Sequence, residues 1–185
     1  MELKKYKLGD IADYVCDKID VSKVSLADYV TTDSMLPNKA GCSTAQNLPP
    51  KGCLLTRYKT GDILIANIRP YLQKIWLADR DGGASADVLV FRAKSPHKSS
   101  FLYSVLLQDS FFDYVMKGTK GSKMPRGDKN QIMRFPIPSL SIAEEDYIGN
   151  IILSLNQKIA VNRQINDNLP MLGRSLRGAV ARHAA

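Results

Sequence analysis

The last quarter of the chain constrains its fold most. Ile148, Ile152, Leu155, Ile159, Asn162, Asn166 and Leu169 recur at intervals of three and four, the spacing of one face of an α-helix. Ser141 followed by Glu144 forms a capping-box pattern, and Glu145 and Asp146 occupy the first turn, where the helix dipole favours acids. A helix over 141–168 would be about 42 Å long. Pro136 and Pro138 make the preceding segment extended and stiff. Pro170 is expected to kink or break the helix, with a second helical stretch from Met171 to Val180. Such a seam either packs back onto its own domain or pairs with a partner. Asparagines at seam positions favour pairing, because a buried Asn sets register at a cost in stability.

The preceding residues have a different period. Ile63–Ala66, Lys74–Ala78 and Val88–Phe91 read as three short strands, with turns at Gly61-Asp62 and Asp79–Gly83, and suggest an antiparallel meander or part of a small barrel. Leu8–Val15 suggests a short helix after Gly9, and Val30–Thr32 a brief strand. Pro37, Gly41, Pro49 and Pro50 keep residues 33–52 irregular. Phe101, Leu102, Val105, Leu106, Phe112, Val115 and Met116 suit an amphipathic helix over 99–117. The fold class is therefore α+β: a small mixed or antiparallel sheet domain over 1–140, then a long helix over 141–185. Of the 185 residues 44% are hydrophobic, enough for a core of that size.

Charge is uneven. Residues 61–140 hold twelve basic and seven acidic side chains, and so carry most of the net charge of +8. Lys117, Lys120, Lys123, Arg126, Lys129 and Arg134 face only Asp128 across a stretch punctuated by Gly118, Gly121 and Gly127. Lysine and arginine supply charge to a phosphate backbone, and glycine lets main-chain N–H groups come close. A solvated loop kept soluble by lysines fits the same composition. Arg69 follows an apolar strand and is stiffened by Pro70. Its guanidinium suits a guanine edge or a phosphate, or a surface ion pair. Asn67, two residues earlier, would share its face and could bond an adenine edge. Lys74 is either solvated or phosphate-facing. Thr31, Thr32 and Ser34 suit either DNA contact or turn formation. Tyr71 and Trp76 read as core.

Catalytic signatures are missing: there is no phosphate-binding P-loop, nucleophile elbow, zinc-protease motif or dinucleotide fingerprint. Asp62, Asp79, Asp81 and Asp87 lie near Lys74 and raise the alternative of a metal-dependent nuclease, but local turns explain these acids better. Cys16, Cys42 and Cys53 lack zinc spacing, and His97 and His183 stand far apart. No cofactor, no metal and no membrane segment are expected, and the chain reads as a reduced cytoplasmic protein without catalytic activity of its own.

Four stretches in order, Lys7–Ala12, Gly61–Lys74, Gly121–Arg126 with Phe135–Leu140, and Leu155–Asn166, resemble half of the DNA-specificity subunit of a type I restriction-modification system. The resemblance implies a target-recognition domain followed by a spacer helix that pairs as an antiparallel coiled coil. It implies double-stranded DNA, DNA adenine methyltransferase subunits and a translocating endonuclease subunit as partners. With one such unit in the sequence, a homodimer is expected to read an interrupted inverted repeat. The DNA-contact candidates are Asn67, Arg69, Lys74, Lys117, Lys120, Lys123, Arg126 and Lys129. The dimer-seam candidates are Ile148, Ile152, Leu155, Ile159, Asn162 and Leu169. A structural subunit that dimerises and binds the methyltransferase without reading DNA is the alternative.

Overall fold

The computed structural model describes residues 5–119 and 123–183, with side chains described for 6–119, 123–163, 165 and 166. In chain order the first elements are β1 (Lys5–Lys7), α1 (Leu8–Ile11), β2 (Ala12–Tyr14), β3 (Lys18–Asp20), β4 (Tyr29–Val30) and β5 (Leu54–Tyr58). There follow β6 (Ile63–Ala66), β7 (Ile75–Leu77), β8 (Gly82–Ala84) and β9 (Val88–Ala93). The last are α2 (Ser99–Leu106), α3 (Asp109–Lys117), α4 (Lys129–Ile132), β10 (Pro136–Pro138) and α5 (Ile142–His183). The chain divides into two compact units, Met1–Gly149 and Asn150–Ala185.

Two four-stranded sheets build the first unit. One is antiparallel, in the order β2-β9-β6-β7; the other is mixed, in the order β3-β5-β8-β4, with β4 parallel to β8. All four residues of β6 are buried. Leu64 and Ala66 join Trp76, Val88 and Val90 of their own sheet, and Val30, Tyr58 and Ala84 of the other, in one apolar cluster. Alternation along the strand puts Ile63 and Ile65 on the opposite face, the side on which α2 packs. Removing a fully buried leucine from such a cluster costs about 2–5 kcal/mol, so a four-residue strand can anchor a domain.

The three strands expected from the sequence are present, but they do not form a meander. β9 pairs with β6, not with β7. Between β7 and β9 the chain leaves the sheet and contributes β8 to the other one. Gly82 and Gly83, read from sequence as turn residues, are therefore strand residues. A Cβ at Gly82 would overlap the carbonyl oxygen of Asp28 and lie 2.5 Å from the Tyr58 hydroxyl, and one at Gly83 would lie 2.8 Å from Leu55 Cδ1. Only glycine lets the neighbouring chains approach this closely. The Tyr58 hydroxyl uses the space, donating to the Asp28 carbonyl at 2.8 Å.

The helix expected over 99–117 is two helices, α2 and α3, separated at Leu107 and Gln108. The Pro-flanked connector is β10, which pairs antiparallel with β1. The proline rings point to this strand's suitability for a sheet edge. Tyr71 is not core: it is 54% exposed, whereas Trp76 is buried at 8%.

Helix α5 opens with the capping box. The Ser141 N–H and hydroxyl donate to Glu144 Oε2 at 2.8 and 2.7 Å, and the Glu144 N–H donates to Ser141 Oγ at 3.3 Å. These hydrogen bonds hold the Glu144 carboxyl below the usual carboxylate range. The first two turns belong to the first unit: His97 Nδ1 stands 2.8 Å from Glu145 Oε2, and Lys98 Nζ is 2.6 Å from Asp146 Oδ2. Gly149 lies so close to Ser100 that a Cβ there would overlap its hydroxyl. The helix continues as one element through Pro170 to His183, about 63 Å at the standard rise, so it is not broken there. Among the described residues no helix is long and apolar enough to cross a membrane.

Candidate nucleic-acid interface

Beyond Ala66 the apolar run ends and the chain forms a clip. The Asn67 N–H donates to the Asp87 carbonyl at 2.8 Å. Ile68 and Arg126 form a single antiparallel bridge. On either side of it, the Arg69 N–H donates to the Pro125 carbonyl at 2.9 Å and the Gly127 N–H to the Asn67 carbonyl at 3.2 Å. The basic loop is thus held against the end of the central strand. Gly127 is required by that approach, since a Cβ would lie 2.8 Å from Asn67 Oδ1.

The clip separates Asn67 from Arg69. Asn67 Oδ1 is buried and has no hydrogen-bond partner. Arg69 is exposed and adopts a left-handed backbone, φ 52° and ψ 60°, ahead of a 3-10 turn at Pro70–Leu72. A following proline disfavours the right-handed helical region for residue 69, and the left-handed alternative costs about 1–3 kcal/mol for a non-glycine residue. The shared face expected from strand alternation does not arise, because the strand stops at Ala66. Arg69 makes no ion pair among the described residues. Arg126 is exposed and lies 3.1 Å from Asp87 Oδ1 through Nη2.

The other basic candidates divide by their engagement. Lys123 is exposed, as are Lys117 in the last turn of α3 and Lys129 at the start of α4. The Asp128 side chain caps α4, accepting from the Asn130 and Gln131 N–H groups at 2.9 and 3.1 Å. The Tyr14 hydroxyl donates to the Lys129 carbonyl at 3.0 Å, and burial, aided by Asp128, pushes its pKa up. Lys74 is half-buried and its ammonium donates to the Thr32 carbonyl at 2.6 Å. Lys120 lies outside the described residues.

A third loop, not foreseen from the sequence, completes the cluster. Asn38 and Lys39 are left-handed, with φ of 54° and 58°, as is Gln73 at 49°. With Arg69 these are the non-glycine residues of positive φ among the described residues. The two segments that carry them are bonded together: the Asn38 N–H donates to the Leu72 carbonyl and the Lys39 N–H to the Gln73 carbonyl, both at 2.9 Å. Pro37-Asn38 is a turn signal that marks this loop in the sequence. Lys39 Nζ and Gln73 Nε2 both donate to Asp109 Oδ1 at the start of α3. Strain of this kind collects at functional sites.

The four acids considered as a nuclease centre are engaged separately. Asp62 is bidentate with Arg92, at 2.8 and 2.7 Å. Asp81 accepts from the Thr60 N–H and hydroxyl, Asp79 pairs with Arg80 and Asp87 with Arg126. Among the described residues no three His, Cys, Asp or Glu side chains gather as a metal site.

On α5, Ile148 and Ile152 are half-buried, Leu155 and Ile159 are 49% and 47% exposed, and Asn162 is exposed. The side chain of Leu169 lies outside the described ones. Ile151, Val161 and Ile165, absent from the expected seam, are also exposed.

Lys39 and then Gln73 hold the Asp109 carboxyl below the usual carboxylate range. A depressed folded pKa means that the lock is present at neutral pH and is lost as pH falls through that value. The Asn38 and Lys39 amides should therefore lose hydrogen-exchange protection severalfold in Asp109→Ala at pH 7 while the β6 amides keep theirs. Unchanged protection at residues 38 and 39 would show that Asp109 does not hold the loops together.

No protein-family model matches the chain. The specificity subunit of the Escherichia coli type I restriction enzyme EcoDI is 26% identical over 153 residues, covering 77% of this chain and 33% of the relative. The HindI specificity subunit of Haemophilus influenzae is 24% identical over 182 residues, covering 94% of this chain and 39% of that subunit. The crystal structure of the HsdS subunit from Thermoanaerobacter tengcongensis shares the fold, with a TM-score of 0.66 and 21% identity over 88% of this chain and 44% of that one. The chain thus spans a third to just under half of the length of these proteins. At low identity and over most of its own length, it is homologous to the specificity subunits of type I restriction-modification systems.

Proposed function

We propose that the chain is a non-catalytic specificity subunit that recognises double-stranded DNA and positions methyltransferase subunits, and in a restricting system a translocating endonuclease subunit. The observation that carries this reading is the clip: Arg69, exposed and held in a left-handed conformation, is bonded through its own N–H to the loop that presents Lys123 and Arg126. Three cations on two mutually bonded loops suit phosphates that follow one another along a duplex. Lys117 and Lys129 extend the same charge. Lys74, tied to Thr32, steadies the loop beneath, and Asn67 joins the clip through its main-chain carbonyl, which accepts from the Gly127 N–H. The similarity to specificity subunits supports the same role.

Helix α5 supports self-association. Ile151, Leu155, Ile159 and Ile165 are exposed and fall with Asn162 within an arc of about 120° at 3.6 residues per turn. A helix with an uncovered apolar stripe is stabilised by a partner helix, and a central Asn sets its register. Two copies paired antiparallel place identical recognition domains about a two-fold axis, so the target is an interrupted inverted repeat.

Duplex binding by the full chain should weaken steeply with salt, and Arg69→Ala, Lys123→Ala and Arg126→Ala should each flatten the log–log salt slope by about one. Binding that ignores salt and all three substitutions would remove the DNA-reading role and leave a structural subunit. In light scattering across a dilution series the mass should hold near about 41 kDa, two copies of a 20.5 kDa chain, and Leu155→Asp should lower it to that of one copy. A single-copy mass at every concentration would contradict pairing through α5.

A further inference from the structure

The clip accounts for phosphate contact but supplies few groups that tell one base pair from another. Residues 31–53, between β4 and β5, form a long connection with no strand or helix. Loops of this length inside a compact domain are uncommon, and when ordered they are usually functional. This one is ordered from within. Met35 and Ala45 are buried at 0% and 4%. Met35 and Cys42 form an antiparallel bridge. The Ser43 N–H and hydroxyl both donate to the Ser34 carbonyl, at 2.8 and 3.0 Å.

That scaffold shapes an open groove of about 420 Å³, whose lining includes Asp33, Thr44, Gln46, Asn47, Leu48 and Pro49. Among the described residues no lysine, arginine or histidine lines it. Asp33, Thr44, Gln46 and Asn47 are exposed, and their side chains make no hydrogen bond or ion pair among the described residues. Those four side chains are therefore free, on a backbone that is held by Ser34 and Ser43. A phosphate would find no counter-charge here and would meet Asp33. Base edges would find what they need: amides pair in two-point fashion with adenine, carboxylates accept from the cytosine amino group, and an apolar surface suits the thymine methyl. The same connection is bonded to the Arg69-bearing segment at Asn38–Leu72, Lys39–Gln73 and Thr32–Lys74.

We infer that the groove over residues 33–49 is the base-reading element of this domain, with Gln46 and Asn47 as specificity-determining residues, while the clip grips phosphate. The inference rests on the DNA-recognition reading above and goes beyond it by assigning sequence choice to a separate loop.

The test is selection from a randomised duplex library by the full chain, followed by sequencing. Wild type should enrich a motif. Gln46→Ala and Asn47→Ala should each lower the preference at one or two positions of that motif about tenfold. Gln46→Glu and Asn47→Asp replace donors by acceptors without changing size, and should move the preferred base at those positions. Thermal melts matching wild type separate these outcomes from misfolding. A wild-type motif that all four variants reproduce would overturn the inference alone. A wild type that enriches no motif would overturn the DNA-recognition reading, and the inference with it.

Discussion

Two main-chain hydrogen bonds, Arg69 N–H to Pro125 and Gly127 N–H to Asn67, decide what this domain can present to a partner. They attach a basic loop, which its own composition would leave solvated, to the end of a strand buried along its whole length. The attachment has costs. Arg69 is left-handed, a strain of about 1–3 kcal/mol, and Asn67 Oδ1 is buried without a partner. Both costs are tolerable because β6 is fixed by pairing on both sides, to β7 and β9. Arg126 is steadied by Asp87, whose backbone carbonyl also accepts from Asn67. The acid therefore orients the guanidinium and restrains the loop's neighbour together.

Much of this was legible in the sequence where period and chemistry agree. Ile63–Ala66 reads as a strand because four apolar residues sit between a turn and a proline, and it is one. Ser141 and Glu144 mark the start of α5 because each can satisfy the other's backbone donor. Pro136 and Pro138 read as extended because their φ angles are fixed. Long-range pairing was not legible. Nothing local tells Val88–Phe91 to pair with β6 and skip β7, or tells Gly82-Gly83 to join another sheet. Those choices follow from the room beside Tyr58 and Leu55, which exists only after the sheets have met.

The candidate site was legible in residue type and obscure in geometry. Arg69, Lys123 and Arg126 stand out by charge, and all three are exposed. The expected equivalence of Asn67 and Arg69 assumed a strand that runs on. The left-handed turn before Pro70 ends it and turns one side chain inward and the other outward. The interlock of residues 38 and 39 with 72 and 73 had only the Pro37-Asn38 turn to announce it, because main-chain partners between distant loops leave no pattern in side-chain identity. On α5 the expected seam included Leu155, Ile159 and Asn162, which are exposed, as are Ile151 and Ile165, which it left out. A regular heptad drifts on a straight helix of 3.6 residues per turn.

Residues 33–49, 67–74 and 123–127 are proposed to form the DNA-facing surface of this domain. Hydrogen–deuterium exchange on the full chain, with and without a duplex at low salt, tests it most directly. New protection is expected in those three segments, with β3 unchanged. Protection confined to other segments, or none at a DNA concentration that saturates binding, would contradict it.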